Sequence, residues 1–282
     1  MAANYTTDEW EALIHKTATT LVVSENEYEC PPIGTRDFGK TIDHTLLKVE
    51  ATSVQIDGIC EEAKEGEFAS VCVRVNYVKQ CVANLKETDV KVACVIGFHE
   101  GTYDLAYKLN ETKEAISSGA HELDIVLNVP DLLAKNYPTI FTELNTLRAA
   151  APAPTILKLI LETSQLNRDQ IIAGAVLAHL AGFDFIKTST GFNGQGATEE
   201  NVRLMKACCE STVLPDRRRM KVKASGGVRS LGDAVRMLKA GAERLGTSAG
   251  VAITREGKAA AAAGSGEAVS FKTEGVASGE EY

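Results

Sequence analysis

Between about Gly39 and Gly250, short apolar, β-branched runs alternate with amphipathic helical stretches, and no other feature constrains the fold of this chain so tightly. A strand of period two followed by a helix of period 3.6, repeated, describes βαβ units and a parallel sheet. The strands are predicted at Lys40 to His44, Phe68 to Val75, Val90 to Gly97, His121 to Asn128, Thr155 to Glu162, Phe183 to Thr188, Met220 to Ala224 and Arg244 to Thr247. TYDLAYKLNETKEAISSG and DQIIAGAVLAHLAG are two of the helices between them, with Gly119 and Gly182 at their C-terminal ends. Eight units of this size make a (β/α)8 barrel. A doubly wound open sheet is the alternative. The barrel is preferred because polar residues gather at the C-terminal ends of many strands, which an open sheet would scatter along an edge.

The reading divides the 282 residues into an N-terminal extension (1–38), a barrel (39–255) and a C-terminal tail (256–282). The extension holds an amphipathic helix around Trp10, Leu13 and Ile14 and is expected to cover one end of the barrel, with a partner-binding role as the weaker option. The tail is rich in Ala, Gly, Ser and Glu, is expected to be flexible, and ends on Tyr282. No apolar run approaches the roughly 18 residues of a membrane span. A net charge of -8 disfavours nucleic acid as a partner. With neither a signal nor a transit pattern at the N-terminus, cytoplasm is the expected location. The seven cysteines include no CxxC pair and read as reduced thiols.

The chemistry concentrates on lysines. In FIKTSTGF, Lys187 stands inside an apolar strand, where an ammonium either snorkels to the rim, pairs with a carboxylate or gives up its proton. MKVKASGGV adds Lys221 and Lys223 on one face of the next strand, so neighbouring strands bring Lys187 and Lys223 together. Two close ammonium groups suit an amine nucleophile, because the field of one favours the neutral form of the other; a surface pair holding phosphate is the alternative. Lys158 in LKLILET also faces inward, with Glu162 as its expected partner. Asp124 in ELDIVLN and Asp43 in TIDHTLL would face these lysines as base, counter-ion or plain ion-pair partners. Gly226-Gly227 and Gly246-Thr247-Ser248, after the seventh and eighth strands, occupy the turns where barrels often hold phosphate, and Arg229 either adds charge there or caps a helix. The five histidines lack HxH or HExxH spacing, so no metal site is expected. Cys72 in VCVRVNYV reads as packing, with a site-facing thiol as the alternative.

Taken in order, TIDHTLL, VCVRVNYV, ELDIVLN, FIKTSTGF, KASGGVR and RLGTSAGV resemble the motif series of the deoxyribose-phosphate aldolases over about Lys40 to Ile253. The resemblance implies a class I aldolase that needs no cofactor and reversibly cleaves 2-deoxy-D-ribose 5-phosphate to acetaldehyde and D-glyceraldehyde 3-phosphate. It further implies that Lys187 forms the Schiff base, that Lys223 is the second catalytic lysine, that Asp124 serves the proton relay and that Tyr282 assists protonation from the tail. Asp43, Thr45 and Thr190 would lie near the substrate, and Gly191, Gly226, Gly227, Gly246 and Ser248 at its phosphate end. Phe192 and Ala249 depart from the family, which often has a lysine and a second serine there. Small phosphosugars and aldehydes are the expected partners, and a homodimer the assembly considered. The rival readings are another class I phosphosugar aldolase or transaldolase, and a catalytically silent phosphosugar-binding barrel; retention of both Lys187 and Asp124 argues against silence.

Overall fold

The computed structural model describes residues 5–211 and 219–264. An N-terminal helix, α1 (Thr7–Thr20), and one short turn of helix, α2 (Arg36–Gly39), precede the first strand, β1 (Ile42–Thr45). The repeating part continues with α3 (Ser53–Glu65), β2 (Ser70–Val73), α4 (Val78–Asn84), β3 (Lys91–Ile96), α5 (Leu105–Ser117) and β4 (Glu122–Val126). It then runs through α6 (Val129–Leu133), α7 (Tyr137–Ala150), β5 (Ile156–Ile160), α8 (Arg168–Leu180), β6 (Phe185–Lys187) and α9 (Glu199–Glu210). It finishes with β7 (Lys221–Ser225), α10 (Leu231–Lys239), β8 (Arg244–Thr247) and α11 (Gly250–Ala262).

The eight strands close in chain order, all parallel, with β8 pairing back to β1. The fold is therefore the (β/α)8 barrel, and the open sheet is set aside. Local chemistry agrees with it. Reciprocal capping boxes start α1 (Thr6 with Glu9), α3 (Thr52 with Gln55), α8 (Asn167 with Gln170) and α10 (Ser230 with Asp233), each satisfying backbone N–H groups that the first turn leaves unpaired. Gly119 and Gly182 follow α5 and α8 at φ of 96° and 76°, a conformation that ends a helix at little steric cost only without a Cβ.

Strand alternation divides the buried residues into two populations. Val71, Val73, Val92, Leu123 and Leu159 point outward into the main core between sheet and helices. Cys72, Ala93, Val95, Val126 and Ile160 point inward and form a separate small cluster with Leu47 and Phe98.

The extension does not lie as expected. Helix α1 packs on the flank of the barrel against α7 and α8, with Trp10 buried against Phe141. The reason lies in α8: residues Ile171 to His179 are buried without interruption, and a helix that is apolar all round must be covered on its outer side too. Past α1 the chain runs along α9 and by the C-terminal end of α10, where Arg203 donates to the carbonyls of Ser24 and Asn26 and Tyr28 N–H donates to Lys239 O. None of the described helices is long and apolar enough to cross a membrane.

Candidate active site

Strand register sets the site. β6 and β7 pair Lys187 with Lys223, and β4 and β5 pair Asp124 with Lys158. Asp124 is fully buried at the centre of these groups. Its Oδ1 accepts from Lys158 Nζ at 2.7 Å, and its Oδ2 accepts from both Lys187 at 2.9 Å and Lys223 at 2.7 Å. One carboxylate oxygen thus joins the two lysines that the sequence brings together. Lys223 Nζ also lies 2.6 Å from Asp43 Oδ2, while Asp43 Oδ1 accepts from Ser70 Oγ at 2.6 Å and from Arg244 at 2.5 Å. Asp43 therefore sits beneath the mouth as a partner of interior cations. Lys221, at the N-terminal end of β7 away from the mouth, is exposed and stays out of the site.

Lys158 corrects the expectation made for it. It is fully buried and held by Glu122 at 2.5 Å, Asp124 at 2.7 Å and Asp43 at 3.6 Å, and not by Glu162. Glu162 lies just past β5 with φ of 57°, which turns its side chain along the rim. There it accepts from Thr190 N–H at 3.3 Å, Thr190 Oγ1 at 2.6 Å and the Asn193 amide at 3.4 Å. Sequence reasoning missed Glu162 as the anchor of the turn that follows Lys187. The signal was present as a buried-strand carboxylate, but its partner lies 28 residues away.

The electrostatics separate the three interior lysines. Burial pushes the Lys187 ammonium below the usual lysine range, and the Lys223 charge adds to this while Asp124 opposes it. For Lys223 and Lys158 burial also favours the neutral form, but Asp124 with Asp43 around one, and Asp124, Glu122 and Asp43 around the other, outweigh it and raise both. Burial would raise Asp124; instead Lys158, Lys187 and Lys223 hold it well below the carboxylate range. The network joined by ion pairs contains three carboxylates, Asp43, Glu122 and Asp124, and four cations, Lys158, Lys187, Lys223 and Arg244. A buried cluster approaches neutrality by shedding one proton. Lys187 is the cation with a single carboxylate contact, and it is the one displaced downward.

At the rim, the turns after β6 and β7 are knotted together. Thr188 Oγ1 donates to Ser225 O at 2.9 Å and accepts from Ser225 N–H, and Ser225 Oγ donates to Ser189 O at 2.6 Å. Gly191, Gly226 and Gly227 all take positive φ, and a Cβ at Gly226 would strike Gly196 Cα at 2.7 Å. The hydroxyl of Thr190 is engaged with Glu162 and accepts from Phe192 N–H. Gly246 lies within β8 rather than in the turn after it, and a Cβ there would meet Lys223 Cε at 2.9 Å, so this glycine makes room for the lysine stem. Ser248 is exposed at the end of β8. Thr45 is half-buried at the end of β1 and donates to Asp43 O. Arg229 is exposed, and its backbone N–H donates to the α10 capping residue Asp233. Tyr282 lies outside the described residues.

The opposite wall is apolar. Cys72 faces the site with Sγ 4.0 Å from Asp124 Oδ2, its thiol pushed up to about 11 by burial and by the Asp124 charge. Phe192 closes this side, stacked on His99 at 5.2 Å and edge-on to Phe98 at 5.1 Å. All seven cysteines are free thiols. Among the described residues no cluster of His, Cys, Asp and Glu is arranged to hold a metal ion.

Comparison with known proteins agrees with this geometry. The DeoC/LacD family aldolase pattern matches residues 39–257. The chain is 51% identical over 249 residues to the deoxyribose-phosphate aldolase of Coccidioides immitis (strain RS), covering 88% of this chain and 91% of that protein. It is 45% identical over 220 residues to the deoxyribose-phosphate aldolase of Bdellovibrio bacteriovorus, covering 78% and 96%. A solved structure from Coccidioides immitis superposes with a TM-score of 0.86 at 50% identity, covering 90% of this chain and 98% of that one. A tetrameric deoxyribose phosphate aldolase from Aeropyrum pernix superposes at 0.70 with 27% identity, covering 87% and 97%. With the family pattern spanning the whole barrel and relatives at this identity, the chain belongs to the DeoC/LacD family of aldolases.

Proposed function

We propose that the barrel catalyses the reversible cleavage of 2-deoxy-D-ribose 5-phosphate to acetaldehyde and D-glyceraldehyde 3-phosphate through a Schiff base on Lys187. The observation that carries this reading is the charge imbalance around Asp124, in which Lys187 alone among the four cations of the network holds one carboxylate contact and is displaced toward the neutral amine. An unperturbed lysine of pKa about 10.4 is neutral in roughly one molecule per thousand near pH 7.4, so nucleophilic attack calls for a displacement in this direction.

Neutral Lys187 adds to C1 of the open-chain aldehyde, and loss of water leaves an iminium. Breaking the C2–C3 bond sends its electron pair toward the iminium nitrogen and forms an enamine. The C3 hydroxyl loses its proton as its carbon becomes the aldehyde of glyceraldehyde 3-phosphate. Asp124, acting through a water with Lys223 beside it, is the route for that proton. Because the positive charges around it hold Asp124 well below the carboxylate range, it passes the proton on rather than storing it. Protonation of the enamine at C2 and hydrolysis release acetaldehyde and restore the amine. Gly191, Gly226, Gly227 and Ser248 form the phosphate end in this reading, with Thr45 and Thr190 toward the substrate hydroxyls. Tyr282 is assigned the protonation at C2, so deleting it slows hydrogen exchange at the methyl group of acetaldehyde more than it weakens phosphate-substrate binding; equal exchange rates dismiss that role. A homodimer in the cytoplasm completes the reading, and sedimentation tests the assembly.

The test is borohydride reduction in the presence of acetaldehyde followed by peptide mass mapping. An ethyl group on Lys187, with activity that survives EDTA, is the expected result. Modification of Lys223 with Lys187 untouched reverses the two roles.

A further inference from the structure

The ion-pair network continues below Asp124 toward the N-terminal end of the barrel, through groups that do not touch Lys187. Glu122, the first residue of β4, accepts from Lys158 at 2.5 Å. Arg244, the first residue of β8, spans Glu122 at 3.2 Å and Asp43 at 2.5 Å. The barrel floor therefore reaches Asp124 by two routes, one from Glu122 through Lys158 and one from Arg244 through Asp43 and Lys223. Stability does not demand such an arrangement. A buried ionic cluster can often be replaced by apolar side chains without loss, and the β2–β3 side of this same interior is filled that way.

We propose that Glu122 and Arg244 are positioning residues that set the charge on Lys187 from the floor of the barrel, Glu122 by sharing Lys158 with Asp124 and Arg244 by orienting Asp43 toward Lys223. The proposal rests on Lys187 being the reactive amine. Without the Glu122 charge, Lys158 turns wholly to Asp124 and Asp43, and the interior gains one positive charge. Both effects favour the neutral amine. Without the Arg244 charge, Asp43 is left to Lys223 and Lys158, the interior loses one positive charge, and the ammonium is favoured.

The groups around Lys187 that could blur this are Asp124 from β4, Lys158 from β5, Glu162 beyond it, Lys223 from β7 and Cys72 from β2. Around the floor they are Lys158 and Asp43, with Lys221 and Arg244 both lying over the Phe185 ring and His121 beside Glu122 and Lys91. All of them are common to the variants compared. At an effective dielectric of about 20, a unit charge roughly 10 Å away moves a titration by about one pH unit.

The experiment measures, against pH, the rate at which acetaldehyde and borohydride place an ethyl group on Lys187, together with the pH profile of kcat/KM. Thermal melting and circular dichroism report folding. The acid limb of Glu122→Gln is expected about one pH unit lower than wild type, that of Arg244→Gln about one unit higher, and that of the double variant close to wild type because the two charges cancel. A merely structural floor lowers the rates and leaves every midpoint unmoved, which overturns the proposal. If Arg244→Gln does not fold, Glu122→Gln against Glu122→Asp decides, since loss of the charge moves the midpoint and loss of one methylene does not. Failure of all these variants to fold assigns the floor to stability and also overturns it. Absence of ethyl-Lys187 in the wild type instead rejects the Schiff-base reading itself.

Discussion

On the β2–β3 side of the barrel axis, Cys72, Ala93 and Val95 pack with Leu47, Phe98, Val126 and Ile160 into a small apolar cluster. On the side running from β4 through β8 to β1, the inward positions carry Glu122, Asp124, Lys158, Lys187, Lys223, Arg244 and Asp43, joined by ion pairs. Both halves come from buried parallel strands of the same period. They differ in how their parts are coupled. Contacts in the apolar half are short-ranged, so a change there is felt through packing alone. Charges in the other half act on one another across the barrel, so a change at one position alters the proton affinity of the rest.

The largest effect that this contrast predicts is at Lys187. Lys187→Leu should lower turnover by at least roughly 10³-fold and abolish borohydride trapping, because Lys158 and Lys223 beside it are both held toward the ammonium. Trapping that moved undiminished to Lys223 would mean that the two lysines are interchangeable. Next comes Lys158→Met, which leaves Glu122 and the Oδ1 of Asp124 without their shared cation. Glu122 keeps Arg244 and Asp124 keeps Lys187 and Lys223, so the loss in urea unfolding is expected at about 2–3 kcal/mol, below the roughly 3–5 kcal/mol of a fully uncompensated buried charge. A loss below about 1 kcal/mol would show that the charged half tolerates substitution as the apolar half does.

Lys223→Leu should move the acid limb of the activity profile about one to two pH units higher. The sign follows from the proposed cycle: if the neutral amine of Lys187 reacts, Lys223 lowers the pKa of that amine, and removing it lets Lys187 hold its proton to higher pH. The shift is bounded because burial, and not the neighbouring ammonium, is the largest cause of the displacement. Lys223→Arg keeps the charge and should keep the limb in place, while losing rate if a proton must pass through this position. The smallest effect belongs to the apolar half. Val95→Ala should cost about 1–2 kcal/mol in urea unfolding with the pH profile unmoved. A displaced acid limb in that variant would break the distinction between the two halves.

Much of this molecule was legible in advance. The eight strand positions were readable because period-two runs bounded by glycines and helix caps are local features, and the gathering of polar residues at the strand ends favoured the closed barrel over an open sheet, as the structure has it. The meeting of Lys187, Lys223 and Asp124 was also readable, since each stands on a strand at a position that must face inward. The errors have a common cause. Lys158 and Glu162 share a strand face by spacing, yet Glu162 lies past the strand end in a left-handed conformation and turns to Thr190. The flank position of α1 depended on an uncovered face of α8, and which surface a helix covers is a matter of what its neighbours leave open.

The residues by themselves therefore determined which side chains enter the barrel, because strand alternation is a property of the chain and needs no partner. Which carboxylate meets which lysine was decided only when β1 closed against β8 and carried Asp43 into reach of Lys223, Lys158 and Arg244. Three lysines enter the interior on equivalent terms, and closure across the barrel axis leaves Lys187 with one carboxylate contact where Lys158 has three and Lys223 two. A proton is held by the field of every charge around it, so that difference exists only in three dimensions.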